Sequence, residues 1–117
     1  MSEAKVLQII RRRVPVLQDQ EETSNESRFN KLREDTRNLL EQVIKRMVNN
    51  PADIKVSFKV GERTTVYYVD CSKESLGRLI GAKGKNITGL RALLTAMMQF
   101  NGIRAIIEIP YYEPDKG

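Results

Sequence analysis

Leu79-Ile80-Gly81-Ala82-Lys83-Gly84-Lys85-Asn86-Ile87 is the stretch from which the rest of the chain can be read. Two glycines bracket Ala82 and Lys83, with an apolar pair before them and an isoleucine shortly after. Upstream, Lys73 to Ile80 reads as a short helix, with Ser72 as N-cap and Leu76, Leu79 and Ile80 turned inward. Downstream, Ile87, Leu90, Leu94 and Met97 recur at helical spacing and mark the inward stripe of a longer helix. The glycines therefore fall in the turn between two helices. Gly81 can close the first with positive φ, and Gly84 can open the second without a Cβ in the way. Bare backbone there admits a nucleic-acid strand. The second helix offers unpaired N–H groups and the positive end of its dipole to a phosphate, and Lys83 and Lys85 add mobile positive charge.

The pattern of an aliphatic residue, Ile, Gly-x-x-Gly, two residues and Ile resembles the signature of the KH domain, a nucleic-acid-binding module. In that family the Gly-x-x-Gly loop clamps the backbone of about four nucleotides. A P-loop is the rival phosphate motif. It requires Gly, four residues, then Gly-Lys-Ser/Thr. Asn86 follows Gly84-Lys85, and Leu79 stands where the first glycine is needed. Counted from Gly77, the second glycine falls on Ala82. Both registers fail.

The 117 residues suffice for one small domain and an arm, and their net charge of +5 suits a polyanionic partner. Between Ser72 and Arg104 the basic residues are Lys73, Arg78, Lys83, Lys85, Arg91 and Arg104, against Glu74 alone. The charge is thus centred on the glycine loop. The chain has no histidine and a single cysteine, Cys71, which excludes an internal disulfide framework and an ordinary zinc site. No cofactor or metal is expected. Cys71 ends an inward strand register and reads as a small buried residue. No apolar run reaches membrane-spanning length. The apolar residues near the start are broken by Gln8 and Arg11 to Arg13, the wrong order for a signal peptide. A reduced, cytoplasmic protein without membrane contact is expected.

Residues 1–26 read as an arm and linker. Val6, Leu7, Ile9, Ile10, Val14, Val16 and Leu17 make it apolar, Pro15 argues against a continuous helix, and Gln18 to Glu26 is polar. Such an arm would dock on its own or another chain, or add basic contacts to RNA. Residues 27–110 read as the domain. A helix is expected from Ser27 to Asn49, with Phe29, Leu32, Thr36, Leu39, Val43 and Met47 on one face and Leu40, Ile44 and Val48 widening it. Pro51 stops it. Ile54, Val56, Phe58 and Val60 alternate with polar residues, Gly61-Glu62-Arg63 turns the chain, and Thr64 to Cys71 returns with Tyr67, Val69 and Cys71 inward. After the two helices, Ile103 to Ile109 forms a third strand ended by Pro110. Residues 111–117 read as a loose tail. The fold class is α+β, in the order α-β-β-α-α-β. A three-stranded mixed sheet carries its helices on one face. Strand one is expected in the centre, with strand three parallel to it.

That order matches the type II KH arrangement. From about Leu39 to Ile109 the chain resembles the small single-KH bacterial RNA-binding proteins of the KhpA (YlqC) family. Beyond the signature, Ser75-Leu76-Gly77-Arg78, Thr88-Gly89-Leu90-Arg91-Ala92-Leu93-Leu94 and Ile107-Glu108-Ile109 carry the resemblance. It implies a post-transcriptional regulator or RNA chaperone of broad specificity that binds single-stranded RNA, forms homodimers, and can pair with a second KH protein of the KhpB (Jag or EloR) type. The chain departs from the family in its N-terminal extension, in Ser72-Lys73 where many members carry a proline, and in a longer tail with Tyr111 and Tyr112.

The candidate RNA-binding residues are Gly81, Ala82, Lys83 and Gly84, with backbone amides and the Lys83 ammonium on phosphates. Arg78, Lys85 and Arg91 lend electrostatic support. Asn86 either contacts sugar or base or caps the second helix, and Ile80 and Ile87 contribute to the groove floor. With no aromatic residue between Ser72 and Gln99, stacking inside the loop is not expected, and base specificity should be modest. A scaffold or dimerisation module built on the same fold is the alternative. Its grounds are the outward apolar residues Val66 and Ile106 and a second stripe of Leu93 and Met98. Without histidine, no acid–base pair or activated nucleophile can be assembled, so an enzyme is not expected.

Overall fold

The computed structural model describes the backbone of residues 15–112 and the side chains of residues 26–112. Its elements are α1 (Pro15–Lys45), β1 (Lys55–Val60), β2 (Thr64–Asp70), α2 (Lys73–Ile80), α3 (Lys85–Gln99) and β3 (Arg104–Glu108), with short 3-10 turns at Pro51–Asp53 and Ala82–Gly84. The chain divides into two compact units, Met1–Glu34 and Asp35–Gly117. In the first, the Arg28 and Arg33 guanidinium groups lie 5.7 and 6.0 Å from the centre of the Phe29 ring. The arm residues 1–14 and the last five of the tail lie outside the described residues.

α1 begins earlier and ends earlier than its periodicity suggests. Pro15 stands at its first residue, where the ring's fixed φ suits a helix and the missing N–H costs nothing. The polar stretch Gln18–Glu26, expected as a linker, is helical. The helix closes at Lys45, where Arg46 N and Met47 N donate to Val43 O and Ile44 O in a tightened last turn. Its buried line is Thr36, Leu40 and Ile44, while Leu39 is 49% exposed. The inward face is thus centred on what had been expected as the widening set, at strict i, i+4 spacing.

β1 and β2 form the expected antiparallel hairpin, and Gly61 N closes its turn on Thr64 O at 2.8 Å. Val56, Thr65, Tyr67, Val69, Ala105 and Ile107 are buried on one face, while Lys55, Ser57, Lys59, Tyr68, Arg104, Ile106 and Glu108 are exposed on the other. Leu40, Ile44, Leu76, Leu79, Ile87, Leu90, Leu94 and Met98 cover the inner face. Each such aliphatic side chain contributes about 1.5–3 kcal/mol by leaving water.

The strand order corrects the expectation. The sheet runs β1-β2-β3, with β2 in the centre and β3 parallel to β2. The two helices do not cancel. α2 has 8 residues and α3 has 15, about 12 and 22 Å at 1.5 Å per residue. Thr64 pairs with Arg104, so the chain re-enters the sheet beside the start of β2. The connection has to travel back one strand length, and α3 supplies it. A parallel neighbour through a helical crossover is the outcome.

Two further corrections concern side chains. Met98, expected on an outward stripe, is fully buried, and its sulfur accepts from Thr36 Oγ1 at 3.5 Å. Met97 is half-buried instead, because the stripe steps by four from Leu94. The tail begins anchored rather than loose, since the Tyr112 hydroxyl donates to Cys71 O. Cys71 is buried as expected. Desolvation, with Asp53 and Asp70 nearby, pushes its thiol above its ordinary value.

Candidate nucleic-acid interface

The interface is assembled from α2 upward. Ser72 caps α2, its Oγ accepting from Ser75 N at 3.2 Å. Ser72 N donates to Asp53 Oδ2 at 2.8 Å, which ties the helix start to the turn before β1. Hydrogen bonds from Ser72 and Ser75 hold the Asp53 carboxyl below its ordinary value. The helix ends where Gly81 N donates to Gly77 O at 3.0 Å.

Gly81 then adopts φ 78°, ψ 172°, a region only glycine occupies without strain. Lys83 (φ 57°, ψ 25°) and Gly84 (φ 73°, ψ 17°) are both left-handed. Lys83 is the one non-glycine residue with positive φ among the described residues. Gly84 N donates to Gly81 O at 3.1 Å, and Lys85 N to Ala82 O, so the loop is a single tight turn feeding α3. A Cβ on Gly84 would meet nothing within 4 Å, so its glycine serves the dihedral and not the space. A Cβ on Gly81 would lie 2.5 Å from Asn86 Cγ.

Asn86 makes a contact that neither sequence-based alternative foresaw. Its Nδ2 donates to Arg78 O at 3.0 Å, back onto the last turn of α2. The side chain therefore staples the first turn of α3 to the end of α2 and packs into the space that Gly81 leaves open. No side chain caps the N-terminus of α3.

Ala82, Lys83, Lys85 and Arg78 are exposed together around this turn. Arg91, two turns into α3, is exposed and donates to Ile107 O at 3.4 Å, spanning from helix to β3. Of the two isoleucines expected in the groove floor, Ile80 is half-buried and presents surface, while Ile87 is only 5% exposed and supports the loop from below.

Past Arg91 the seam between α3 and β3 widens, which the sequence reading missed. A cavity of about 310 Å³ lies between Arg91, Leu94 and β3. A larger one of about 580 Å³ follows at Thr95, Gln99 and Arg104. The signal was present in the spacing: Arg91, Thr95 and Gln99 stand at i, i+4 and i+8, one polar line beside the apolar stripe. Among the described residues no cluster of acidic or cysteine side chains could hold a metal ion, and no helix is long and apolar enough to cross a membrane.

The family model described as the KhpA/KhpB KH domain matches residues 37–109, which takes in both helices, the loop and the whole sheet. The chain belongs to this family. Its KH domain is 30% identical over 70 residues to the RNA-binding protein KhpA of Chlamydia pneumoniae, covering 60% of this chain and 90% of that protein. The KhpA protein of Leifsonia xyli is 37% identical over 65 residues, covering 56% and 86%. That of Aquifex aeolicus is 32% identical over 73 residues, covering 62% and 92%. No solved structure matches the chain. In each of the three, the aligned part is most of the relative but little more than half of this chain, so α1 ahead of the matched region is largely an addition to the shared domain.

Proposed function

We propose that this KH-family chain binds single-stranded RNA in the cytoplasm, with the Gly81–Gly84 turn as its phosphate clamp. The observation that carries the reading is Lys83, a lysine held left-handed at the exposed tip of a turn at the start of a 15-residue helix. A strained non-glycine conformation at an exposed cation points to function, since the fold would be better served by glycine. The relatives named RNA-binding protein KhpA support the same reading.

In this mechanism backbone amides of the turn and the α3 dipole meet phosphate oxygens, and the Lys83 ammonium follows them. Arg78 and Lys85 raise the local potential. Ile80 offers an apolar contact, and Asn86 and Ile87 hold the turn in shape from behind and below. Arg91 marks the way into the α3–β3 seam. Leu93 on α3 and Phe100 just past its end, 48% and 89% exposed, support self-association or pairing with a KhpB-type partner. A post-transcriptional role follows from RNA binding of low base specificity.

The test replaces Ala82 and Lys83 together by Asp and keeps both glycines. Aspartate tolerates the left-handed region better than lysine, so the turn still forms. The local charge falls from +1 to −2 where a phosphate would sit. Affinity for a single-stranded RNA oligomer should drop by at least about tenfold, about 1.4 kcal/mol, with melting temperature and circular dichroism near wild type. A DNA oligomer of the same sequence in parallel separates RNA binding from general strand binding. A folded double variant that binds as well as wild type overturns the reading in favour of a protein-interaction module.

A further inference from the structure

The face of the sheet turned away from the helices is solvated, and such a face is ordinarily polar. Here the central strand β2 places Val66 and Tyr68 on it, and the register sets Ile106 of β3 directly beside Val66. Tyr68 is 42% exposed and Ile106 38%. Tyr67, the residue before, is fully buried on the inner face, its ring centre 5.6 Å from that of Phe58. The aromatic contribution to the core is therefore made without Tyr68.

Three exposed cations frame this strip. Lys59 is paired with Val66 across the hairpin, Arg104 stands beside Thr64, and Lys55 lies one step beyond the row of Tyr68. Among the described residues none of the three enters an ion pair, although Asp70 stands opposite Lys55. Glu108 stands beside Tyr68 on β3 and is also without an ion pair. An exposed ring between unpaired cations is an arrangement on which a nucleobase stacks while its phosphates are held. A carboxylate at the edge of that ring accepts from an exocyclic amine, such as N4 of cytosine, which uracil lacks. The three apolar side chains offer far less area than the about 800 Å² per partner of a stable protein interface, whereas a stacked base needs a single ring.

We propose that the open face of the sheet, centred on Tyr68, is a second single-strand site. Tyr68 stacks a base, Lys59 and Arg104 hold phosphates, and Glu108 selects bases that carry an exocyclic amine. The proposal rests on the RNA-binding reading and adds a surface on the far side of the sheet from the helices that hold the glycine turn. One domain then holds two strand segments at once, one by its backbone at the turn and one by a base at the sheet.

The experiment is fluorescence anisotropy with labelled tetracytidylate and tetrauridylate RNA. It compares the wild type with the chain carrying Ala82→Asp and Lys83→Asp, in which the turn is disabled. That turn variant should keep a weaker, measurable affinity for tetracytidylate. Adding Tyr68→Thr, a residue suited to a strand, should weaken this residual binding by at least about fivefold, the low end of one stacked base. Adding Tyr68→Phe should leave it unchanged. Adding Lys59→Ala and Arg104→Ala tests the site without touching the ring, and should lower the residual salt slope by about 1.4, two phosphates at about 0.7 each. Tetrauridylate should bind the turn variant at least about twofold more weakly than tetracytidylate, the low end of one hydrogen bond, and Glu108→Val should remove that difference. Calorimetry on the wild type should count two tetracytidylates per chain. If Tyr68→Thr leaves the residual binding where it was, or if the turn variant binds nothing while the wild type binds, the sheet site is overturned and the turn stands. A wild type that binds neither oligomer overturns the RNA reading and the sheet site with it. Tyr68→Thr that lowers the mass in light scattering and leaves binding untouched assigns the face to a second copy of the chain and overturns the site.

Discussion

The two edges of the sheet present the same backbone problem and solve it in opposite ways. An edge strand exposes unpaired N–H and C=O groups that invite another strand. On β1 the problem is closed from within at Val56. Arg37 Nη1 donates to Val56 O at 3.0 Å, and Glu41 Oε1 accepts from Val56 N at 3.3 Å, so two side chains of α1 occupy the edge. Arg37 and Lys45 flank Glu41 at 3.1 Å each. On β3 the neighbour is a groove with Arg91 reaching across at 3.4 Å and cavities beyond. At Val56 the β1 edge contributes stability and hides its polar groups. The β3 edge, with the glycine turn at the start of α3, leaves cations and cavities in the open. Substitutions on the first should cost stability without touching RNA binding, and those on the second the reverse.

Gly81→Ala is expected to break this division most strongly, because it lies on the binding side yet should cost stability. Its ψ of 172° at φ 78° is closed to alanine, and the new Cβ would press on Asn86, whose side chain is committed to Arg78 O. The strain should lower stability by about 1–3 kcal/mol, and binding should fall with it as the turn distorts. Gly84→Asn is the control. It sits in a left-handed well that asparagine tolerates, with nothing near a Cβ, so its melting temperature should stay close to wild type. Equal effects of the two would mean that the turn is held by its glycines in general and not by the Gly81–Asn86 contact. Denaturant titration of both variants decides.

Arg37→Ala combined with Glu41→Ala tests the closed edge. Two hydrogen bonds to Val56 and the associated ion pairs disappear, which should cost about 1–2 kcal/mol. RNA affinity should not change, and the freed edge should raise the tendency to associate at high concentration. The pair also predicts a pH signature. Partial desolvation pushes the Glu41 carboxyl up, but the Lys45 hydrogen bond, the Val56 amide and the charges of Lys45 and Arg37 outweigh it, and the net shift is downward. A depressed carboxylate stabilises the fold above its unfolded pKa and loses that contribution as pH falls through the folded one. The acid side of the wild-type stability profile, below about pH 4.5, should therefore be flatter in the variant. Thermal melts from pH 3 to 7 supply the measurement, and unchanged acid limbs would remove Glu41 from the account.

The sequence showed these two edges unequally. The glycine turn, the capped α2 and the alternation of the strands were legible because each depends on local chemistry: positive-φ glycines, a serine before a helix, and a period of two. Strand order was not, because it depends on the summed travel of two helices, which no local pattern reports, and the wrong strand was expected in the centre. The start of α1 was misread because Pro15 was taken as a breaker when it was an N1 residue, and no apolar period reports on a polar helix. No apolar period marks Arg37 and Glu41, and their reach to Val56 exists only once β1 lies alongside. The role of Asn86 was hidden for the same reason, since its partner is eight residues back on another helix.

Lys83→Gly is the smallest expected effect and the sharpest statement of the comparison, because stability and binding should move in opposite directions. At φ 57° and ψ 25° the lysine bears a left-handed backbone that glycine adopts freely. Relief of that strain is worth at most about 1–2 kcal/mol, and part of it is offset by the larger entropy glycine has in the unfolded chain. A net gain of under about 1 kcal/mol should appear as a rise of a few degrees in melting temperature. The exposed side chain makes no core contact, so nothing else is lost. RNA binding should weaken, with the slope of log affinity against log salt falling by about 0.7, one phosphate contact on a single strand. Lys83→Asn separates the two contributions: asparagine keeps left-handed tolerance without glycine's entropy and without the charge. If Lys83→Gly binds with an unchanged salt slope, the lysine is not on a phosphate. If it melts below wild type, the left-handed lysine is not strained, and the conformation at the tip of the turn belongs to the fold and not to the ligand.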